Sequence, residues 1–460
     1  MENFLESLWR LAAIAVVMAV TCGVIKLLLS RRKASANWRK AGLAASQEPA
    51  AGIVFGRDTR GKCVYSPAND EGHCAVFGSS GCGKTSALLI PTLRAWTSGT
   101  AGNNTCFVID ISGDISSNVH CRNKLVFEPG NGNSVPYDVF AMIDTLPDDG
   151  QKNEALAQLA FLMMPDEEDA DASSRFWRRN ARNMLTASLI YLYHKDFDFQ
   201  ETCSAIVSLS YSTLIDQICG DDNYTAMQYI KQYVGAKPEN LANFKASCDS
   251  AVMLFVTNKN VAMSIRRPRE GEAAFTPAAL ERYNVFVVIP DDKLKLYAPL
   301  LQIITAQCLE YFSSRPVENR GKILFALDEF ASIKVDITDA LRKLRKKNIR
   351  IMICTQSLAD INQTLGRDAH KTLLSNFKHK VLMDVAEADS QEYFARLIGK
   401  EQKTKHSQTS RGNYTVSDTW SSEKDYIIEP TELARLGDDL ILLHPMGWSR
   451  LRKNYYFKKR

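Results

Sequence analysis

The residues Gly78-Ser79-Ser80-Gly81-Cys82-Gly83-Lys84-Thr85 have the types and spacing of a loop that holds phosphates, fitting G-x-x-x-x-G-K-[ST] at every fixed position. Glycines let such a loop turn its backbone N–H groups inward around an anion. Lys84 suits the β- and γ-phosphates, and Thr85 offers a hydroxyl to Mg²⁺. Gly78, Ser79, Ser80, Gly81, Cys82, Gly83, Lys84, Thr85 and Ser86 are therefore assigned to binding ATP, with the Lys84 side chain expected to face solvent. A second candidate is the apolar run Ile323-Leu324-Phe325-Ala326-Leu327 ending in Asp328-Glu329. Asp328 is expected to hold Mg²⁺ through water and Glu329 to polarise the attacking water. A third is Gln356, at the end of Arg350-Ile351-Met352-Ile353-Cys354-Thr355. A Gln there can sense a γ-phosphate or orient water; the other reading is a surface residue that closes a strand.

These residues need elements to position them. His73–Phe77 reads as a buried strand before the loop and Thr85–Trp96 as a helix after it, whose N-terminus favours an anion. A chance glycine-rich turn would lack both. Cys106–Asp110 and Leu125–Pro129 read as further strands. From Gln151 to Pro268 the apolar spacing is three and four residues, which predicts a block of helices. Strands return at Val285–Pro290, Ile323–Glu329 and Arg350–Gln356, with helices Leu296–Phe312 and Asp339–Lys346 between them. Lys84 and Asp328 lie much further apart than the roughly 30 residues of a bare βαβ unit, so the helical block reads as an insertion. Gln402–Ser422, rich in Ser, Thr and Lys, reads as a mobile loop. The layout predicts an α/β fold with a mostly parallel sheet covered by helices. Its segments are a short outer N-terminus (1–10), a membrane helix (11–29) and a linker (30–50). A nucleotide-binding domain follows in two halves (51–150 and 271–460), with an all-α domain (151–270) inserted between them.

Composition agrees. With 45% hydrophobic and 24% charged residues the 460-residue chain is an ordinary globular one. Leu11–Leu29 is apolar except for Thr21 and Lys26, and as a helix it rises about 28 Å, one hydrocarbon core. A signal peptide fits less well, because Glu2 and Glu6 precede the run and Arg31, Arg32 and Lys33 follow it. A buried soluble helix is the other alternative. One basic residue precedes the run and Arg31, Arg32, Lys33, Arg39 and Lys40 follow, so the positive-inside rule places the body in the cytoplasm of a single-pass inner-membrane protein. The eleven cysteines include no C-x-x-C pair and the seven histidines no metal spacing, which argues against a disulfide framework or a zinc site. Net charge is only +5. The clusters Arg342–Lys347, Arg266–Arg269 and Lys458–Arg460 carry the basic character, and such runs are also common as solvated faces.

The membrane run, phosphate loop and helical insertion together resemble the type IV secretion coupling proteins, the TraG/TraD-like ATPases of conjugation. Ile90-Pro91-Thr92-Leu93 is similar to the family's I-P-[TN]-L, and Asp110 stands at its second-strand Asp. Phe127-Glu128-Pro129 with Val135-Pro136-Tyr137-Asp138, Phe176-Trp177 with Ala181-Arg182, Ser375–Val381 and Thr355-Gln356-Ser357 resemble further family segments. The chain departs at Asp110-Ile111-Ser112-Gly113-Asp114, where the family has P-K-G-E after the Asp, and it carries one candidate membrane span where many members have two. The resemblance implies a RecA-like P-loop NTPase domain, a homo-hexamer on the membrane and a relaxase–DNA complex or effector protein as cargo. It further implies contact with type IV secretion channel components, and a basic ring that tracks DNA without reading sequence. It also implies that Arg345, in Leu341-Arg342-Lys343-Leu344-Arg345-Lys346, reaches the γ-phosphate of a neighbouring subunit; Arg342 can serve instead. A FtsK/HerA-like double-stranded DNA translocase and an ATP-binding scaffold without motor activity are the alternatives. An intact Glu329 argues against the scaffold.

Overall fold

A computed structural model of the chain describes residues 38–98, 103–166, 171–316, 320–411 and 414–458. The expected membrane run Leu11–Leu29 lies outside the described residues. Among those residues no helix is long and apolar enough to cross a membrane. The described residues form two compact units, one within 38–70, 74–95 and 378–458, the other within 71–73 and 96–377.

The first unit is built on a mixed sheet. Its strands run in the order Ala44–Ser46, Cys63–Pro67, Gly52–Arg57, Gly447–Arg452, Asp439–His444, His379–Met383, Cys74–Gly78. His379–Met383 and Cys74–Gly78 are parallel, with Met383 beside Gly78; the other pairs are antiparallel. Cys74–Gly78 is buried along its whole length, as a strand covered on both faces must be. After the loop, Lys84–Leu89 is a π-helical turn that passes into the α-helix Ile90–Trp96. The expected single helix from Thr85 is thus wider in its first turn, a distortion that recurs at functional sites. Thr92 fastens this helix to the sheet, its hydroxyl accepting from the Val54 N–H at 3.0 Å. The expected loop at Gln402–Ser422 is instead part of a two-stranded hairpin, Lys400–Arg411 against Tyr414–Tyr426.

The second unit holds five parallel strands in the order Ile349–Thr355, Ile323–Leu327, Thr105–Asp110, Asn284–Val288, Lys124–Phe127. The first four are buried throughout, which is why they read as continuous apolar runs. From 149 to 264 the regular elements are all helical, the longest being Ala172–Tyr193 and Pro238–Thr257. Local chemistry starts these helices. Asp148, Asp171, Asp198, Ser210, Asn223 and Asn258 each accept a backbone N–H of the first turn, a bond that stabilises a helix by about 1 kcal/mol. Leu185, Leu189, Phe199, Cys248, Val252 and Phe255 bury their apolar faces.

Candidate functional site

In the first unit the phosphate loop is held from both sides. Gly81 and Gly83 have φ of +75° and +99°, a region that glycine enters without steric cost. A Cβ on Gly78 would stand 2.1 Å from the Met383 carbonyl oxygen, so only glycine permits that approach of the two strands. The Ser79 N–H donates to the Asp384 carbonyl at 3.1 Å. Asp384 itself has φ of +49°, and its carboxylate accepts from the Gly437 N–H at 3.0 Å and from the Lys453 ammonium at 2.6 Å. Lys84 corrects an expectation. Its side chain does not face solvent; the residue is 6% exposed, and its ammonium donates to the Gly78 and Ser79 carbonyls at 2.8 and 3.1 Å. A buried ammonium demands such partners, and these hold the cation over the loop. Burial pushes the Cys82 thiol up against the pull of Lys84, which keeps it protonated and inert.

In the second unit the expected carboxylates and Gln356 come together at the carboxyl ends of neighbouring parallel strands, where ligands of open α/β sheets bind. Asp328 follows its strand directly and is 7% exposed. Glu329 adopts φ of +47° and ψ of 53°, a left-handed conformation that costs a non-glycine residue about 1 kcal/mol or more and clusters at functional sites. That turn brings the Glu329 carboxylate to 3.5 Å from the Gln356 side-chain amide, at the long limit of a hydrogen bond. Gln356 is exposed directly after its strand, which fits both readings of it.

Asp110 ends the next strand, with Ile109 beside Leu327. Its carboxylate accepts from the Gly113 and Ser116 N–H groups at 3.0 and 2.6 Å. Burial raises its pKa in spite of those bonds. Asp110 thus shapes the turn into Asp114–Asn118, and Gly113, at φ of +76°, supplies the bend. The segment that departs from the family pattern keeps this glycine.

Arg345 and Arg342 are not brought to Glu329. Arg345 opens the turn Arg345–Lys347 ahead of strand Ile349–Thr355, at the opposite edge of the sheet from Gln356. It is 54% exposed on its side chain and lies 3.8 Å from Glu71. Arg342 is also exposed and lies 3.7 Å from Asp339. Asp384 and Lys453 escaped the sequence reading. Their only sequence signal is a polar residue after the apolar strand His379–Met383.

The comparisons bear on the fold and the family. A probable conjugal transfer protein TraG of Sinorhizobium fredii (strain NBRC 101917 / NGR234) is 23% identical over 406 residues, 83% of this chain and 61% of that protein. The type IV secretion system-coupling protein VirD4 of Bartonella quintana (strain Toulouse) is 24% identical over 415 residues, 76% of this chain and 63% of that one. The chain thus spans about three fifths of the length of these curated relatives. Among solved structures, the bacterial conjugative coupling protein TrwBdeltaN70 has a similar α/β fold, with a TM-score of 0.68 at 16% identity over 88% of this chain and 89% of that one. TrwB in complex with ADP and Mg²⁺ gives 0.64 at 17% identity over 86% and 87%. The family model of type IV secretory system conjugative DNA transfer matches residues 33–460, and the chain belongs to that family.

Proposed function

We propose that the chain is a membrane-anchored ATPase that delivers DNA, as a relaxase–DNA complex, or protein substrates to a type IV secretion channel and drives transfer by ATP hydrolysis. The carrying observation is the strained Glu329 beside Gln356 after a buried strand, in a chain that also holds Lys84 on a complete phosphate loop. Relatives named conjugal transfer and type IV coupling proteins support the substrate class. TrwB complexes with ADP and Mg²⁺ and with non-hydrolysable GTP and ATP analogues support a nucleotide.

The roles follow from the chemistry. The backbone N–H groups of Gly78–Ser86 and the Lys84 ammonium bind the phosphates. The Thr85 hydroxyl and Asp328 carboxylate are hard oxygen donors that suit Mg²⁺; Asp110 is committed to backbone N–H groups and stays out of that set. Mg²⁺ supplies neutralisation of the charge on the phosphoryl oxygens. Glu329 accepts the proton of the attacking water, and Gln356 orients it or senses the γ-phosphate. Arg345, or Arg342, acts on a neighbouring copy in a homo-hexamer. Residues 11–29 form the single inner-membrane span, with 1–10 outside and the body in the cytoplasm. Residues 30–50 are a linker; 51–150 and 271–460 are the nucleotide-binding halves around the helical insertion at 151–270.

Glu329→Gln keeps the shape and removes the base. It is expected to bind ATP normally, to turn over about 10² to 10⁴ times more slowly, and to fail in transfer from donor cells. Loss of ATP binding in this variant, measured by equilibrium titration, would assign Glu329 a structural role and sink the reading.

A further inference from the structure

Glu329 and Gln356 follow neighbouring strands, and a short helix starts at each. Glu329 stands ahead of Phe330–Ile333, and Gln356 ahead of Leu358–Leu365, whose N-cap is Ser357. The first helix is a single turn, too short to hold itself by its own hydrogen bonds. It lies between two left-handed residues, Glu329 at φ of +47° and Lys334 at +55°, so its place is set from outside. Phe330 and Ile333 anchor it by burial. A polar bond reaches it from the second helix. The Thr364 hydroxyl donates to the Ala331 carbonyl at 2.9 Å and shares its hydrogen with the Asp360 carbonyl of its own helix, also at 2.9 Å.

The same second helix holds the other member of the pair. The Asp360 carboxylate accepts from the Gln356 N–H at 3.2 Å and from the Ser357 N–H at 2.9 Å, while the Ser357 hydroxyl accepts from the Asp360 N–H at 3.1 Å. A capping box and a threonine bonded back to its own helix are ordinary helix chemistry. The bonds that leave the helix are not: one goes to the backbone of Gln356, the other to the turn that carries Glu329. We propose that Asp360 and Thr364 are positioning residues, which together set the distance between the Glu329 carboxylate and the Gln356 amide, 3.5 Å here. This rests on the reading of that pair as the groups that meet the attacking water. A misplacement of about 1 Å in a reacting geometry costs about 10²-fold in rate, so these side chains have leverage on turnover without a part in binding.

The test is a double-mutant cycle on kcat, from steady-state ATP hydrolysis by the full chain in detergent, with the ATP affinity of each variant from equilibrium titration. Thr364→Val keeps the shape and removes the hydroxyl. It should lower kcat about tenfold with ATP affinity held within about twofold, and Thr364→Ser should restore the rate. In a Glu329→Gln background the same substitution should change the residual kcat by less than about twofold, because no carboxylate remains to be placed. Asp360→Ala should behave alike against Gln356→Ala, and it carries the test should Thr364→Val not fold. An equal fold-loss in both backgrounds would make these residues ordinary props of the helix and overturn the proposal. So would an unchanged kcat in Thr364→Val, or a loss accounted for by weaker ATP binding. A wild-type kcat in Glu329→Gln would remove the reading of Glu329 as the base, and the positioning role with it.

Discussion

Arg345 precedes strand Ile349–Thr355 and Gln356 follows it, so about 20 Å of extended chain separates the two. A guanidinium on that edge cannot serve the Glu329 of its own copy. If it acts on a phosphoryl group it acts on a neighbour's, where such a group contributes about 10³ to 10⁵ in rate. The prediction is complementation. Arg345→Ala and Lys84→Ala copies are each expected to be inactive, and mixed assemblies to regain part of the ATPase, because some interfaces then join an intact loop to an intact Arg345. No recovery in assemblies shown by mass spectrometry to be mixed, or full activity of Arg345→Ala alone, contradicts the role. At this scale the phosphate loop and Asp328-Glu329 were readable because the chemistry fixes residue type and spacing within a few positions. Asp384 and Lys453 were not, because their partners lie far off in the chain. The buried position of Lys84 was missed for a related reason: its carbonyl partners Gly78 and Ser79 are exposed only by the backbone turn at Gly81 and Gly83.

His73 ties two elements of the second unit together. Its Nδ1 accepts from the Ile351 N–H and its Nε2 donates to the Leu341 carbonyl, both at 2.9 Å, so the ring is held neutral between strand Ile349–Thr355 and helix Thr338–Leu344. Burial lowers its pKa to about 4, with the charges of Arg350 and Arg345 adding to the shift against the Leu341 carbonyl. An unfolded His titrates near 6.5, so between pH 6.5 and 4 the unfolded chain takes up a proton that the folded one refuses. The contribution is therefore complete above pH 6.5 and is lost as pH falls towards 4, about 3 kcal/mol over that window. Urea unfolding at pH 7 and pH 4.5 should show the loss, and His73→Gln should reduce it. Equal stability at both pH values, or an unchanged slope in the variant, contradicts the account. The parallel strands around this site were legible as elements because burial on both faces makes each an unbroken apolar run. The hairpin Lys400–Arg411/Tyr414–Tyr426 was not, since Ser, Thr and Lys recur along both strands without an apolar alternation. The π-helical turn Lys84–Leu89 left no mark in the sequence, where its buried Ala87, Leu88 and Leu89 read simply as part of one apolar helix.

For the molecule as a whole, the proposed nucleic-acid binding rests on local clusters, since a net charge of +5 is too small to supply it. Some of that charge is committed. Arg266 forms two hydrogen bonds to Glu272 at 2.6 and 2.7 Å, and together with the Arg269 N–H it holds the Glu272 pKa down to about 2. The lysines of the Arg342–Lys347 cluster are the better candidates, with Lys343 and Lys346 exposed. Contacts of this kind track phosphates without regard to sequence and weaken steeply with salt. The central proposal is an ATP-driven motor, and in its DNA-substrate form DNA stimulates ATP turnover. The most direct measurement is steady-state ATP hydrolysis by the full chain, titrated with mixed-sequence DNA at several salt concentrations, beside Lys84→Ala. The account predicts stimulation that is indifferent to sequence, falls with salt and is absent in Lys84→Ala. Hydrolysis that ignores DNA, or that persists in Lys84→Ala, would contradict it.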